Sequence, residues 1–180
     1  MKYSTARPGR VFVLRLEHGE ILHETVERFA RAKKIRAGTV IALGGADQGS
    51  RLVVGPERAR GRPVKPMELV LSGVHELAGV GAIFPNARGE PLLHLHAACG
   101  RKGLTRTGCV RRGVRTWHVL EVVISELTGS PARRMPDPDT GFELLEPRRS
   151  IDEVAHAEAR RTRRSIDEVA HAEPWRSRRG

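Results

Sequence analysis

Two histidines one residue apart, His94-Leu95-His96, and a cysteine thirteen positions beyond the second, Cys109, have types and spacing that suit metal binding. Imidazole nitrogen and thiolate sulfur are borderline and soft donors, the set that zinc accepts. The flanking runs Pro91-Leu92-Leu93 and Ala97-Ala98 are apolar and short, which predicts a strand rather than a helix. Strand side chains alternate, so His94 and His96 share one face while Leu93, Leu95 and Ala97 point to the other. Gly100-Arg101-Lys102-Gly103 reads as a turn, and Leu104 to Val110 as the returning strand. With Arg101 and Lys102 as the two loop residues, His94 lies opposite Cys109 and His96 opposite Thr107. Such pairs sit ~4.5–5.5 Å apart at Cβ. Cys99 then faces away, which argues against a Cys99–Cys109 disulfide.

Three donors leave a tetrahedral shell one ligand short. A water, a substrate or a further residue would complete it, and His75 and His118 are the candidates. An open position is also what catalytic zinc keeps, so a metal-dependent enzyme acting on a small anionic substrate is one reading. Glu76 or Glu121 would then be the general base, with His118 as an alternative acid/base group. The sequence contains no nucleophile elbow, phosphate-cradling glycine loop or dinucleotide fingerprint. The plainer alternative is a histidine pair buried in a core or an interface with its hydrogen bonds satisfied.

The elements that would position these residues are mostly strands. Val11–Leu16, Ala37–Leu43, Arg51–Val54, Met67–Leu77, Gly79–Phe84, Pro91–Ala98, Leu104–Val110, Val114–Ser125 and Phe142–Leu145 follow one another at hairpin spacings. Ile21 to Ile35 carries apolar residues near a period of 3.6 and predicts one amphipathic helix. One principal helix among these strands implies an α+β domain built on a mainly antiparallel β-sheet. Such a sheet leaves edges and an incompletely covered apolar face, which favours self-association.

The chain has 180 residues, enough for one domain, read as residues 1–147, and a tail, 148–180. The tail is charged and internally duplicated: Arg148 to Glu158 recurs identically as Arg163 to Glu173. Each copy opens on a capping-box signature, yet two turns with only Ile and Val on the apolar side are marginal as a helix. The tail is expected to be flexible. No stretch reaches the ~20 apolar residues of a membrane span, and the N-terminus lacks a signal-peptide core. Two cysteines on opposite faces fit a reducing compartment, so the expected location is the cytoplasm.

A net charge of +11 favours anionic partners. Arginine outnumbers lysine 27 to 5, an imbalance that genomic base composition also produces. Six basic and no acidic residues lie between Arg101 and Arg115, among them Lys102, Arg106, Arg111 and Arg112. Arg60-Gly61-Arg62-Pro63 reproduces an AT-hook core, whose arginines enter narrow A·T minor grooves. Arg60, Arg62, Arg101, Lys102, Arg106, Arg111 and Arg112 are therefore the candidate nucleic-acid contacts. Phosphate contacts of this kind predict weak, salt-dependent binding.

The chain resembles the plants-and-prokaryotes conserved (PPC) domain family from about Arg10 to Leu145. The resemblance is carried by Leu16-Glu17-His18-Gly19-Glu20, Ile41-Ala42-Leu43-Gly44-Gly45-Ala46 and Leu71-Ser72-Gly73. It continues through Gly89-Glu90-Pro91-Leu92-Leu93-His94-Leu95-His96-Ala97, Trp117 to Ile124, and Asp139-Thr140-Gly141-Phe142-Glu143-Leu144-Leu145. It implies a compact α+β sheet, assembly as a homotrimer and a DNA-binding role. It also implies a metal, bound in some members by the histidine pair and a third histidine in a Gly-Gly-His-Leu segment; the donor types here make Zn2+ the expected divalent ion. Here that segment reads Thr107-Gly108-Cys109-Val110, so Cys109 stands at the third histidine's place. A trimeric interaction scaffold, with the site structural, is the remaining reading.

Overall fold

The computed structural model describes residues 1–59, 61, 64–148 and 162–163. Among the described residues the named elements run in the order β1 (Arg7–Glu17), α1 (Leu22–Ala32), β2 (Gly38–Ala46), β3 (Arg51–Pro56), β4 (Pro66–Val70), β5 (His75–Pro85), β6 (Pro91–Arg101), β7 (Leu104–Cys109), β8 (Thr116–Thr128), β9 (Arg133–Pro136) and β10 (Glu143–Glu146). Eight strands form one sheet in the order β1-β8-β2-β5-β6-β7-β3-β4, and β9 and β10 make a separate hairpin. All pairings are antiparallel, as expected for an α+β domain of this type.

One face of the sheet is the core side. Leu16, Val40, Ala42, Leu77, Leu93, Leu95, Ala97, Leu120, Val122 and Ile124 are buried there, and α1 adds Leu22, Val26 and Ala30 to the same cluster. Those three helix positions recur every four residues, the stripe that a helix turns toward a sheet. Phe29 also meets Phe12 of β1 edge-to-face at 5.4 Å between centroids. The helix ends earlier than its periodicity suggests, because Lys34 adopts a left-handed φ of 57°.

The other face is unusual in what it leaves open. Reading straight across the strands, Val13, Val123, Ile41, Val80, His96 and Cys109 are successive register partners. Val13, Ile41 and Val80 are exposed; Val80 retains 69 % of its accessible surface. An aliphatic row thus runs across the sheet and ends on the histidine and the cysteine.

Three expectations need correction. The strand expected over Met67–Leu77 is broken: β4 stops at Val70 and β5 starts at His75. Gly73, at φ 87°, makes the turn between them. Gly79 was expected to open a second strand but lies inside β5, where a Cβ would stand 2.7 Å from Leu95 Cδ2. Its missing side chain makes room for the β6 core residue. Finally, β9 was not anticipated, since Arg133-Arg134-Met135-Pro136 carries neither alternation nor β-branched residues.

Candidate metal centre

His94, His96 and Cys109 converge, but not in the register expected. The β6–β7 loop is Lys102-Gly103, with Arg101 paired to Leu104. Both loop residues have positive φ, 50° and 76°, as a type I′ hairpin turn requires. The pairing therefore slides by two residues, setting His96 opposite Cys109 and Ala98 opposite Thr107. A slip of two preserves the face, whereas a slip of one would have turned the cysteine into the core. Cys99 does point into the core, free of any disulfide, and burial pushes its thiol up to about 11.

Close backbone approach fixes both strands. A Cβ on Gly81 of β5 would lie 2.3 Å from the His94 carbonyl oxygen, and one on Gly108 2.6 Å from the Val53 oxygen of β3. Small residues at these two positions let β5 and β3 close on either side of the β6–β7 pair.

One ligating atom from each of the three side chains lies within 4.8 Å of the other two. His94 Nε2 and His96 Nε2 are 3.0 Å apart. Tetrahedral zinc, with Zn–N of ~2.0–2.1 Å and Zn–S of ~2.3 Å, needs donors roughly 3.3–3.6 Å apart. The set therefore fits such an ion in kind; the two nitrogens stand near the required spacing, and the sulfur lies within 4.8 Å of them. Cys109 is buried, His94 half-buried and His96 exposed.

Two guanidinium groups surround the set. Arg111 Nε donates to Cys109 Sγ at 3.2 Å. Arg134, on β9, is only 5 % exposed and brings Nη1 to 3.5 Å from His94 Nδ1. Its Nε has no hydrogen-bond partner and its second amino group meets the Ala82 carbonyl at 3.5 Å. Burial, reinforced by Arg134 and then Arg111, holds the His94 pKa below its ordinary value. The neutral imidazole so favoured is the metal-binding form. A guanidinium can only donate, so in this arrangement His94 Nδ1 is the acceptor and Nε2 carries the proton. A metal at Nε2 would move that proton to Nδ1, against Arg134. Metal-bound histidines usually find a carboxylate or carbonyl there.

These donors form part of the floor of a pocket of about 530 Å³. Val53, Pro56, Val64, Pro66, Phe142 and Leu144 supply apolar wall, and Arg111, Arg112 and Glu143 supply charge. Arg134, Phe142 and Glu143 were not among the candidates from sequence. The Asp139–Leu145 segment was singled out by the family resemblance, which was the available signal for the last two.

The other candidates lie elsewhere. Among the described residues the group of ligating side chains contains neither His75 nor His118. His75 Nδ1 pairs with the Gly73 carbonyl at 2.9 Å, and the His118 amide donates to His18 Nδ1 at 3.2 Å. Glu121, on β8, is three strands from β6, roughly 14 Å at ordinary strand spacing. Glu76 pairs with Gly100, four residues along β6 from His96 and so roughly 13 Å away. Arg101 lines a separate hollow with Lys102, its guanidinium pinned to the Val74 carbonyl at 2.7 Å. Arg106 is exposed on β7, and Arg112 pairs with Glu68 at 3.1 Å. Arg60, Arg62 and Pro63 lie outside the described residues, as do 149–161 and 164–180 of the tail.

Comparison with known proteins places this geometry in context. A profile of the Plants and Prokaryotes Conserved (PCC) domain matches residues 3–128. A plant- and prokaryote-conserved (PPC) protein of Pyrococcus horikoshii superposes with a TM-score of 0.70 at 23 % identity, covering 80 % of this chain and 96 % of that one. A protein of Archaeoglobus fulgidus described as metal-containing gives 0.69 at 24 %, covering 81 % and 99 %. A protein of Ralstonia eutropha named as a candidate for DNA binding gives 0.62 at 18 %, covering 76 % and 90 %. In sequence, the bifunctional protein GlmU of Synechococcus sp. (strain JA-3-3Ab) is 30 % identical over 149 residues, 82 % of this chain and 21 % of that protein. The chain thus spans about a fifth of the length of the curated relatives it matches.

Proposed function

This chain belongs to the Plants and Prokaryotes Conserved (PCC) domain family, and on that premise we propose that it binds one divalent metal ion through His94, His96 and Cys109. The observation that carries the reading is the meeting of three ligating atoms within 4.8 Å at a pocket floor. Two nitrogens and one sulfur favour zinc. A metal-containing fold neighbour supports the proposal. Bound there, zinc would supply a Lewis acid with one open coordination position. The chain's own contribution is to hold His94 neutral, fix both imidazoles on one strand and place Arg111 against the sulfur. Neither Glu76 nor Glu121 is near enough to serve as a general base, so metal binding is proposed without a committed reaction.

Equilibrium dialysis of the full chain against zinc tests this directly. One ion per chain is expected for the wild type and a large loss for His96→Ala, whose exposed side chain leaves the core untouched. Equal zinc content in both proteins would refute the assignment.

DNA binding is the second reading, supported by fold neighbours named for it and by the +11 net charge. Arg101, Lys102, Arg106 and Arg111 are available for phosphate contacts, with Arg112 partly neutralised by Glu68. Binding should be weak, steeply salt-dependent and only loosely sequence-selective, with a mild A·T preference from Arg60-Gly61-Arg62-Pro63. Duplex titrations at two salt concentrations check this; tight binding that survives high salt would contradict it. Assembly as a homotrimer, implied by the family, is consistent with the exposed row Val13, Ile41 and Val80. Among the described residues, no helix is long and apolar enough to cross a membrane.

A further inference from the structure

The geometry points to a small amphipathic carboxylate as the occupant of the pocket over His94, His96 and Cys109, with its head group on Arg111. This inference extends the metal reading to the same pocket, but its charge argument holds with or without an ion.

The first line of support is an uncompensated charge. Arg112 is paired with Glu68 at 3.1 Å, a carboxylate it shares with Arg51 at 3.3 Å. Arg111 has no carboxylate at ion-pair distance among the described residues; its Nε donates to the Cys109 sulfur. Arg134 is buried behind His94 with an orphaned Nε and two contacts at the outer limit of a hydrogen bond. Glu143 is the only carboxylate among the described residues lining the pocket. Two guanidinium charges thus face one carboxylate, and a divalent ion would widen the imbalance. Arg134 is the buried one of the two and is repelled by Arg111, so an anion seated on the exposed Arg111 offsets charge that Glu143 alone leaves in excess.

The second line concerns shape. A volume of about 530 Å³ lies within the range typical of small-molecule sites. Aliphatic, proline and phenylalanine side chains dominate the walls, from Val53 and Pro56 on one side to Phe142 and Leu144 on the other. A duplex backbone, hydrated and polyanionic, would gain nothing from such walls. Of the two exposed guanidiniums that line the pocket, Arg112 is engaged by Glu68, and a phosphate dianion would ask for more donors than Arg111 alone offers. A monocarboxylate with a hydrocarbon body satisfies both the charge and the walls.

Isothermal titration of the full chain, metal-free and zinc-loaded, with octanoate, octanol and inorganic phosphate tests the inference. Octanoate should bind at least tenfold more tightly than octanol in the metal-free protein, and phosphate should not bind measurably. Arg111→Met should abolish that head-group preference while octanol affinity stays within twofold, showing that the pocket remains folded. Arg112→Met should leave the preference intact. Equal binding of octanol, preference for phosphate, or a preference that survives Arg111→Met would each overturn the inference. A preference seen only in the zinc-loaded protein would also overturn it, by moving the head group from Arg111 to the ion. A protein that takes up no zinc yet discriminates octanoate would refute the metal reading alone.

Discussion

Replacing Arg134 by methionine should tighten zinc binding, although Arg134 is one of the most buried polar residues near the site. Its Nη1 lies 3.5 Å from His94 Nδ1. Adding the width of the ring and one metal–nitrogen bond puts the guanidinium roughly 7 Å from an ion held on Nε2. At an effective dielectric constant of about 20, repulsion between one and two charges at that separation is roughly 4–5 kcal/mol. Solvent and the nearby Glu143 would screen much of it. If about a third survives, the variant gains roughly 1.5 kcal/mol, or about tenfold in affinity. The fold should not suffer. A guanidinium with an unpartnered Nε and two contacts at 3.5 Å gives way to an apolar chain of similar length, which removes a buried, incompletely paired charge. Competition against a chromophoric chelator at pH 8, where His94 is neutral in both proteins, reads the affinity; thermal denaturation reads the fold. A well-folded Arg134→Met protein that binds zinc no better, or less well, would refute the electrostatic reasoning.

Other outcomes follow from the same structure. Leu95→Ala removes a fully buried side chain between the two histidines and should cost about 2–5 kcal/mol in urea denaturation; a cost below about 1 kcal/mol would mean that β6 is not anchored through the core. Glu126 accepts two hydrogen bonds from the Arg10 guanidinium, at 2.7 and 2.8 Å, which hold its pKa below the ordinary 4.5. Its stabilisation should be complete above that value and disappear as pH falls through the lower folded pKa. Glu126→Gln should therefore flatten the acid limb of stability against pH, and an unchanged limb would contradict the pair's role. A chain ending at Pro147 should keep its thermal midpoint and its oligomeric state by light scattering, and loss of either would show that the duplicated tail contributes to the domain.

Much of the site was legible in the sequence because its logic is periodic. Alternation assigns His94, His96 and Cys109 to one face, and an error of two residues in register leaves that assignment untouched. The register itself was not legible. It depends on Lys102 accepting a positive φ beside Gly103, a conformation that Arg101-Lys102 would have to reach without glycine. The break at Leu71–Val74 was hidden for a related reason: Gly73 and Gly79 look alike in sequence, but one turns the chain and the other makes room for Leu95. Arg134 escaped notice because Arg133-Arg134 reads as a solvated pair. Its burial follows from where the β9–β10 hairpin comes to rest, a long-range consequence that no local pattern carries. The tail and the Arg60-Gly61-Arg62-Pro63 core belong to segments wholly or largely outside the described residues, so their reading still rests on sequence alone.

The X-ray absorption fine structure of the zinc-loaded chain tests the central claim most directly. Coordination by His94, His96 and Cys109 predicts one sulfur at ~2.3 Å together with nitrogen scatterers at ~2.0–2.1 Å and the outer-shell signature of two imidazoles. The sulfur contribution should vanish in Cys109→Ser. A shell of oxygen and nitrogen alone in the wild-type protein would contradict the account.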